Sequence, residues 1–240
     1  MAAVEATPEA AFVKIYTSLT GNSLKKDGQL WRLTTDEGTS YLPTAKDALR
    51  ITHIGQNPQT RVLNKYQLEG FVEVEPGDFV VDVGSFIGEF ARESRNITGH
   101  VVALEPDPIN YAVCKMNLSD VPVCQIAAWS ETGQKPFNTA TDTSESSILG
   151  TDTADVRSIE KVRTSRLDEL FDERVNFVKI EAEGAEPEVV QGMEGILPEK
   201  VAVECSPERE DDSPAEEVTD MLESRGYTVK EKEMIVFGSL

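Results

Sequence analysis

Phe79-Val80-Val81-Asp82-Val83-Gly84-Ser85-Phe86-Ile87-Gly88 joins an apolar run to an acidic residue and two glycines. The apolar run contains several β-branched residues, which predicts a buried strand of a parallel sheet. The residues after Gly88 favour a helix, and the glycines allow a tight turn in which the backbone can approach a ligand. Open α/β sheets bind small molecules where such a strand ends and its helix begins. We therefore expect a ligand at the carboxyl end of this strand.

The residues around the turn indicate which ligand it suits. A dinucleotide-binding turn has a second glycine two residues after the first, whereas Phe86 stands there in this chain. Asp82, together with Glu105 at the end of the next predicted strand, suits a ligand that carries positive charge and ribose hydroxyls. S-adenosylmethionine has both features. The residues that we expect to bind it are Asp82, Gly84, Ser85, Gly88, Glu105, Pro106 and Ala128.

The charge balance and the cysteines limit the partners and the compartment. The 240 residues contain 23 Lys and Arg against 43 Asp and Glu, a formal net charge of -20. Such a surface opposes binding to nucleic acid, and it would suit a high-salt cytoplasm, in which charge repulsion is screened.

The three cysteines cannot all pair and form no Cys-x-x-Cys unit, which is typical of reduced cytoplasmic thiols. With no basic leader and no apolar run near the roughly 18 residues of a bilayer span, we expect a cytoplasmic protein that is not transmembrane.

Two regions follow from the pattern along the chain. Residues 1–75 form an N-terminal extension, with a helix beginning at Pro8 and a hairpin of residues 29–33 with 39–42, which either caps the ligand site or covers a sheet edge. Residues 76–240 alternate predicted strands and helices, which indicates a Rossmann-like, doubly wound, mostly parallel α/β sheet. A C-terminal hairpin requires one antiparallel strand. Residues 133–153 are rich in Thr, Ser, Asp and Gly and predict a long loop or an irregular hairpin.

Lys179, Glu181 and Glu183 are the candidate catalytic residues. They occupy alternate positions, so on an extended strand they would share one face at the ligand crevice. Methyl transfer requires alignment of the acceptor and, for a hydroxyl, removal of its proton, which a carboxylate beside a lysine could perform. A carboxylate there could also hold a metal ion, but the sequence identifies no set of metal ligands. The structural alternative is an ion pair and a helix-start acid at the end of a strand.

Two further groups of residues leave two interpretations open. Trp129 could stack on adenine or pack in the core. Ser146-Ser147-Ile148 could line the acceptor site or belong to a plain loop.

Several motifs, taken in order, resemble those of the FkbM-type methyltransferases, from about Gly77 to Glu204. They are Val81-Asp82-Val83-Gly84-Ser85-Phe86-Ile87-Gly88, Ala103-Leu104-Glu105-Pro106-Asp107-Pro108, Asn117-Leu118, Ser146-Ser147-Ile148, Ser165-Arg166-Leu167-Asp168-Glu169-Leu170 and Val178-Lys179-Ile180-Glu181-Ala182-Glu183-Gly184-Ala185-Glu186. The resemblance implies a Rossmann-like fold, S-adenosylmethionine as cofactor and O-methylation, often of sugars or other secondary metabolites. The family commonly has Asp where Glu181 stands and Ala-Asn where Ser85-Phe86 stand.

The sequence thus predicts an S-adenosylmethionine-dependent O-methyltransferase. The expected acceptor is a hydroxyl or carboxylate of a carbohydrate or glycan precursor, for example a sugar acid of a lipid-linked glycan. The protein could reach such a lipid-linked substrate by peripheral contact with the membrane. A non-catalytic nucleoside-binding module is the alternative from another class. An NAD-dependent oxidoreductase is disfavoured by Phe86 and the missing middle glycine.

Overall fold

The chain forms two compact units in a computed structural model that describes residues 7–36, 38–51, 58–140, 146–149, 156–171, 174–207 and 213–240. The units divide between Arg61 and Val62, whereas the sequence predicts a division at residue 75. Tyr66, Val72 and Val74 pack in the core of the larger unit. A capping role for the N-terminal extension stays a prediction.

The smaller unit contains a helix and a three-stranded antiparallel sheet. Its elements are α1 (Pro8–Thr20), β1 (Ser23–Asp27), β2 (Leu30–Thr35), β3 (Gly38–Leu42) and α2 (Asp47–Ile51), and α3 (Pro58–Lys65) spans the division. The predicted hairpin is the pair β2–β3. Strand β1 was not predicted from the sequence, because Leu24 is its one buried residue and the rest of it shows no apolar alternation.

The larger unit is built on a seven-stranded sheet. Its elements are β4 (Phe79–Val83), α4 (Glu89–Thr98), β5 (His100–Leu104), α5 (Pro108–Asn117), β6 (Val123–Cys124), β7 (Ala127–Ala128), β8 (Gly133–Ala140), β9 (Val156–Ser165), α6 (Leu167–Leu170), β10 (Phe177–Ile180), α7 (Glu186–Gln191), β11 (Lys200–Glu204), α8 (Ala215–Ser224), β12 (Thr228–Lys232) and β13 (Ile235–Ser239). The strand order is β12-β13-β11-β10-β4-β5-β6. Only β13 runs antiparallel to its neighbours among these described strands. The predicted Rossmann-like, mostly parallel fold is confirmed.

The core lies on both faces of this sheet, which explains why its central strands are mainly apolar. Neighbouring residues of a strand point to opposite faces. Val81 and Ile180 accordingly belong to one buried cluster, and Val80 and Phe177 belong to the other. Packing on both faces fixes the carboxyl ends of β4 and β10 next to each other.

A small second sheet of the larger unit has the order β7-β9-β8. Its strands β8 and β9 form an antiparallel hairpin with an irregularity between Thr139 and Ala140. Of the two structures predicted for residues 133–153, the described part therefore adopts the irregular hairpin and not the long loop. Within the ranges given above, no helix is long and apolar enough to cross a membrane.

Candidate active site

The turn from β4 into α4 is anchored on the end of β5. The backbone N–H groups of Gly84 and Ser85 both donate to the Leu104 carbonyl oxygen, at 3.0 and 3.1 Å. Gly84 has a φ of 69°, and a Cβ atom on it would lie 1.7 Å from the Glu181 carbonyl oxygen. The segments that follow β4 and β10 can therefore contact each other only because residue 84 is a glycine.

Gly88, at the other end of the turn, is also explained by packing inside the protein. Its φ is 91°, and a Cβ atom there would lie 2.7 Å from Cδ1 of Leu118 and 3.0 Å from Sγ of Cys114. The hydroxyl of Ser85 lies 3.5 Å from the same sulfur atom. Packing inside the protein thus requires both glycines, and contact of the turn with a cofactor stays a prediction.

Four side chains of alternating charge, Asp82, Lys179, Glu181 and Lys65, form what we call the charge row. The Lys179 ammonium lies 3.1 Å from Asp82 Oδ1 and 3.3 Å from Glu181 Oε2, and the Lys65 ammonium lies 2.7 Å from Glu181 Oε1. The exposed fraction of the side chain rises from 0% at Asp82 and 3% at Lys179 to 31% at Glu181 and 35% at Lys65. The row therefore leads from the interior of the sheet to solvent at the ends of β4 and β10.

The inner pair of the row ties two segments together. The Lys179 ammonium also donates to the carbonyl oxygens of Gly84, at 2.7 Å, and Val83, at 3.3 Å. Burial disfavours the ammonium, but Asp82 and Glu181 outweigh burial and raise the pKa of Lys179. Lys179 is therefore a buried cation that holds β10 against the turn. Asp82 neutralises it from the interior, and direct contact of Asp82 with a ligand stays a prediction.

Glu181 is the partly exposed carboxylate of the row. Burial alone would raise its pKa, but the ammonium groups of Lys179 and Lys65 outweigh burial and lower the pKa of Glu181 to about 2. A carboxylate with so low a pKa is a weak base at neutral pH. It is better suited to accept a hydrogen bond than to remove a proton.

Glu183 does not continue the face shared by Lys179 and Glu181. Strand β10 ends at Ile180, and Glu183 has a φ of 50° in the following turn, so the strand alternation stops before it. The Glu183 carbonyl oxygen accepts a hydrogen bond from the Ser147 hydroxyl at 2.8 Å. The Ser146-Ser147-Ile148 segment thus supports the turn that follows β10.

Glu105 is a buried acid at the end of β5. Its Oε2 accepts the N–H of Phe86 at 2.7 Å, and its Oε1 accepts the N–H of Asp107 at 2.9 Å. Burial is the main cause that raises the pKa of Glu105 to about 8. Near neutral pH this pKa favours the protonated acid, which has one O–H group to donate and keeps acceptor capacity on its other oxygen, whereas the ionised form only accepts. Ribose hydroxyls donate and accept, so they can pair with either form. Glu105 therefore fits two ribose hydroxyls of a nucleoside cofactor.

Two other predicted cofactor residues are Pro106, which follows Glu105, and Ala128, which ends β7. Pro106 is half-buried and directly precedes Asp107, whose side chain caps α5 by accepting the N–H of Ile109 at 2.8 Å. Ala128 is buried in β7, where it pairs with Ser165 of β9. Trp129, the next residue, is also buried, and Lys135 Nζ lies 5.1 Å from the centroid of its ring. Contacts of these residues with a cofactor stay a prediction.

Tyr66 and Lys65 were not predicted as site residues. The Tyr66 ring is buried, with its centroid 4.8 Å from Lys65 Nζ and 5.1 Å from Lys179 Nζ. Burial, together with the negative charge of Glu181, raises the pKa of Tyr66 well above its usual value. Sequence reasoning missed both residues because they lie far from Glu181 in the chain and carry no motif of their own. In the part of the chain that the structure describes, no cluster of three or more His, Cys, Asp or Glu side chains is arranged to bind a metal ion.

The fold and the acids at the ends of its strands define a class of protein, the Rossmann-like α/β proteins that bind a nucleoside cofactor at the carboxyl edge of the sheet. A family model described as "Methyltransferase FkbM domain" matches residues 78–229. The chain therefore belongs to the FkbM methyltransferase family. This assignment confirms the predicted family and S-adenosylmethionine as the cofactor.

Solved structures with a similar fold include methyltransferase FkbM from Methylobacillus flagellatus KT, with a TM-score of 0.50 and 18% identity over 72% of this chain and 46% of that protein. The chain thus spans less than half of that protein's length. Two others are precorrin-6y C5,15-methyltransferase from Geobacter metallireducens GS-15 (TM-score 0.46, 14% identity, 80% of this chain and 92% of that one) and Aeropyrum pernix fibrillarin with natively bound S-adenosyl-L-methionine (TM-score 0.47, 12% identity, 90% and 97%). At these identities the similarity concerns the fold alone. None of the curated proteins matches this chain in sequence.

Proposed function

We propose that the protein transfers a methyl group from S-adenosylmethionine to an oxygen atom of a carbohydrate or glycan precursor. The observation that carries this proposal is the Glu181 carboxylate, which is the partly exposed acid of the charge row at the carboxyl ends of β4 and β10. Two features of the sequence support a cytoplasmic site of action at high salt. The net charge is -20, and the three cysteines cannot all form disulfides with one another. A lipid-linked glycan would be reached by peripheral contact.

When bound, S-adenosylmethionine supplies a methyl group on a positively charged sulfur atom. An oxygen lone pair of the acceptor forms the new C–O bond as the C–S bond breaks, and the electron pair of that bond stays on sulfur. The protein contributes mainly by alignment of the reacting atoms. In the proposed site, Glu105 forms hydrogen bonds with the ribose, Glu181 orients the acceptor, and Lys179 keeps the two supporting segments in place.

The ionisation of Glu181 bears on the choice between a hydroxyl and a carboxylate acceptor. A hydroxyl must lose its proton during the transfer, and a carboxylate whose pKa is about 2 gives little driving force for removing it. A carboxylate acceptor is already ionised at neutral pH and needs no base. The ionised Glu181 would repel such an anion, so in this proposal Glu181 accepts hydrogen bonds from neighbouring hydroxyl groups of the sugar acid, while Lys65, at the exposed end of the charge row, attracts its carboxylate. These properties favour a sugar acid over a neutral sugar.

Mass spectrometry of glycans from cells with and without the gene tests the proposal most broadly. We expect a glycan that is 14 mass units lighter without the gene, the mass of the CH2 that methylation adds. Alkaline treatment would then separate the two acceptors, because a methyl ester is hydrolysed and a methyl ether is not. Purified protein that binds S-adenosylmethionine but leaves every glycan fraction unmodified would favour the non-catalytic nucleoside-binding module.

A further inference from the structure

Lys65 and Tyr66 precede the residues 78–229 that match the family model. Lys65 nevertheless contacts the candidate catalytic carboxylate, and the Tyr66 ring lies beside both lysines that pair with it. Lys65 ends α3, and its ammonium lies 2.7 Å from Glu181 Oε1, across 116 positions of sequence. The other carboxyl oxygen of Glu181 faces Lys179 at 3.3 Å. Each oxygen of Glu181 is therefore held by a different lysine, one from β10 itself and one from outside the matched residues.

Tyr66 is fixed by the core on its other side. Its ring packs edge-on against Phe90 of α4, with 5.5 Å between the ring centroids. The Phe90 ring in turn packs against Phe177 of β10, with 5.8 Å between those ring centroids. The ring lies beside both ammonium groups that bracket Glu181, in the arrangement of cation–π contacts. Because Tyr66 is only 2% exposed, it provides a rigid surface against which Lys65 and Lys179 are placed.

We propose that Lys65 and Tyr66 are positioning residues for methyl transfer, which hold the Glu181 carboxylate in the orientation that receives the acceptor. The proposal rests on the proposed function of this site. It assigns to residues outside the family-matched segment a part in building the acceptor side, whereas Glu105 and the turn after β4 serve the cofactor side.

The contacts predict how Glu181 responds when Lys65 loses its charge. With Lys65→Met, one carboxyl oxygen loses its ammonium partner while the packing of the side chain is largely kept. The loss of an opposite charge at this distance raises a carboxyl pKa by about one unit or more. Tyr66→Phe keeps the ring beside both ammonium groups, so it should change the pKa of Glu181 less than Lys65→Met does.

The first test is a pH titration of the Glu181 δ-carbon by NMR, in full-length protein labelled with 13C-glutamate. The resonance is assigned by its absence in Glu181→Gln. In the wild type its titration midpoint should lie at about pH 2, and in Lys65→Met the midpoint should be higher by about one unit or more. The titration is therefore followed from pH 6 down to about pH 2. Lys65→Arg should restore the wild-type behaviour, because the charge is retained.

The second test compares methyl transfer from S-adenosylmethionine, labelled with tritium in its methyl group, to a lipid-linked glycan extract. Lys65→Met should lower turnover by about 10- to 100-fold, as expected for a displaced acceptor, while the affinity for S-adenosylhomocysteine changes less than about twofold. Lys200→Met is the matched control, because Lys200 forms a comparable ion pair with Asp78, at 2.8 Å, at the amino end of β11. It should lower stability without changing the Glu181 titration or the turnover per folded molecule.

The two kinds of failure are distinguishable. A Glu181 resonance that titrates in Lys65→Met as it does in the wild type would overturn the inference, and so would a Lys65→Met protein with wild-type turnover and acceptor KM. A wild-type protein that transfers no methyl group to any fraction would instead contradict the proposed function.

Discussion

Replacing Glu186 by Gln should change the pH dependence of the stability of the larger unit. Glu186 begins α7 with only 1% of its surface exposed. Its Oε1 accepts the N–H groups of Ala182, at 2.8 Å, and Gly184, at 3.3 Å, while its Oε2 has no hydrogen-bond partner among the described residues. Burial, with a contribution from the charge of Glu204, outweighs these bonds and raises the pKa of Glu186 to about 7.

The size and sign of the effect follow from this pKa. A rise from the ordinary value of 4.5 to about 7, at about 1.4 kcal/mol for each pH unit, corresponds to about 3 kcal/mol. Between these two pH values the folded protein holds the proton and the unfolded chain does not. The stabilisation is therefore fully present below pH 4.5 and is lost as the pH rises to 7. Glu186→Gln cannot ionise, so its stability relative to the wild type should increase by about 3 kcal/mol over this range.

Urea unfolding of both proteins from pH 4.5 to pH 7.5 measures this difference. Other buried acids, such as Glu105, titrate in both proteins, and their contributions cancel in the comparison. Glu216→Gln is the control, because Glu216 is an exposed acid in the first turn of α8 and its replacement leaves Glu186 in place. This variant should keep the loss of stability that Glu186 causes as the pH rises to 7. A Glu186→Gln difference from the wild type that is constant across the range would refute the reasoning.

Two further predictions concern the cofactor side of the site. Glu105→Ala should weaken S-adenosylmethionine binding by about 1–3 kcal/mol, the range for buried polar groups that lose their hydrogen-bond partner. Calorimetry with NAD should detect no binding to either protein. Unchanged affinity for S-adenosylmethionine would remove Glu105 from the cofactor site. Phe86→Asn should raise the free energy of unfolding by up to about 1 kcal/mol. Phe86 has a φ of 51°, and Asn tolerates this left-handed conformation better than a bulky side chain does. A lower free energy of unfolding in the variant would contradict this account of the turn.

The central sheet is predictable from the sequence because parallel strands covered on both faces are mainly apolar. Residues 79–83 and 177–180 each have a single charged residue among apolar ones, and each is followed by a turn and a helix. Strand β1 and the first half of β8 are largely polar and exposed, so they give no comparable signal. The position of an element in the sheet, unlike its existence, depends on contacts between distant residues.

The candidate site is predictable only in part for the same reason. The alternation of Lys179 and Glu181 on one face could be read from the sequence, but it stops before Glu183 because β10 ends at Ile180. The pairing of Lys179 with Asp82 depends on β4 lying next to β10. The contact of Lys65 with Glu181 joins residues 116 positions apart, and no local pattern indicates it.

The measurement that tests the central claim most directly is methyl transfer by Glu181→Gln beside the wild type, with S-adenosylhomocysteine affinity measured on the same preparations. Gln keeps the size of the side chain and removes the charge that pairs with both lysines. If Glu181 orients the acceptor, turnover should fall by about 10- to 100-fold, while the affinity for S-adenosylhomocysteine changes less than about twofold. A Glu181→Gln protein that transfers methyl groups to the glycan acceptor at the wild-type rate would contradict the account.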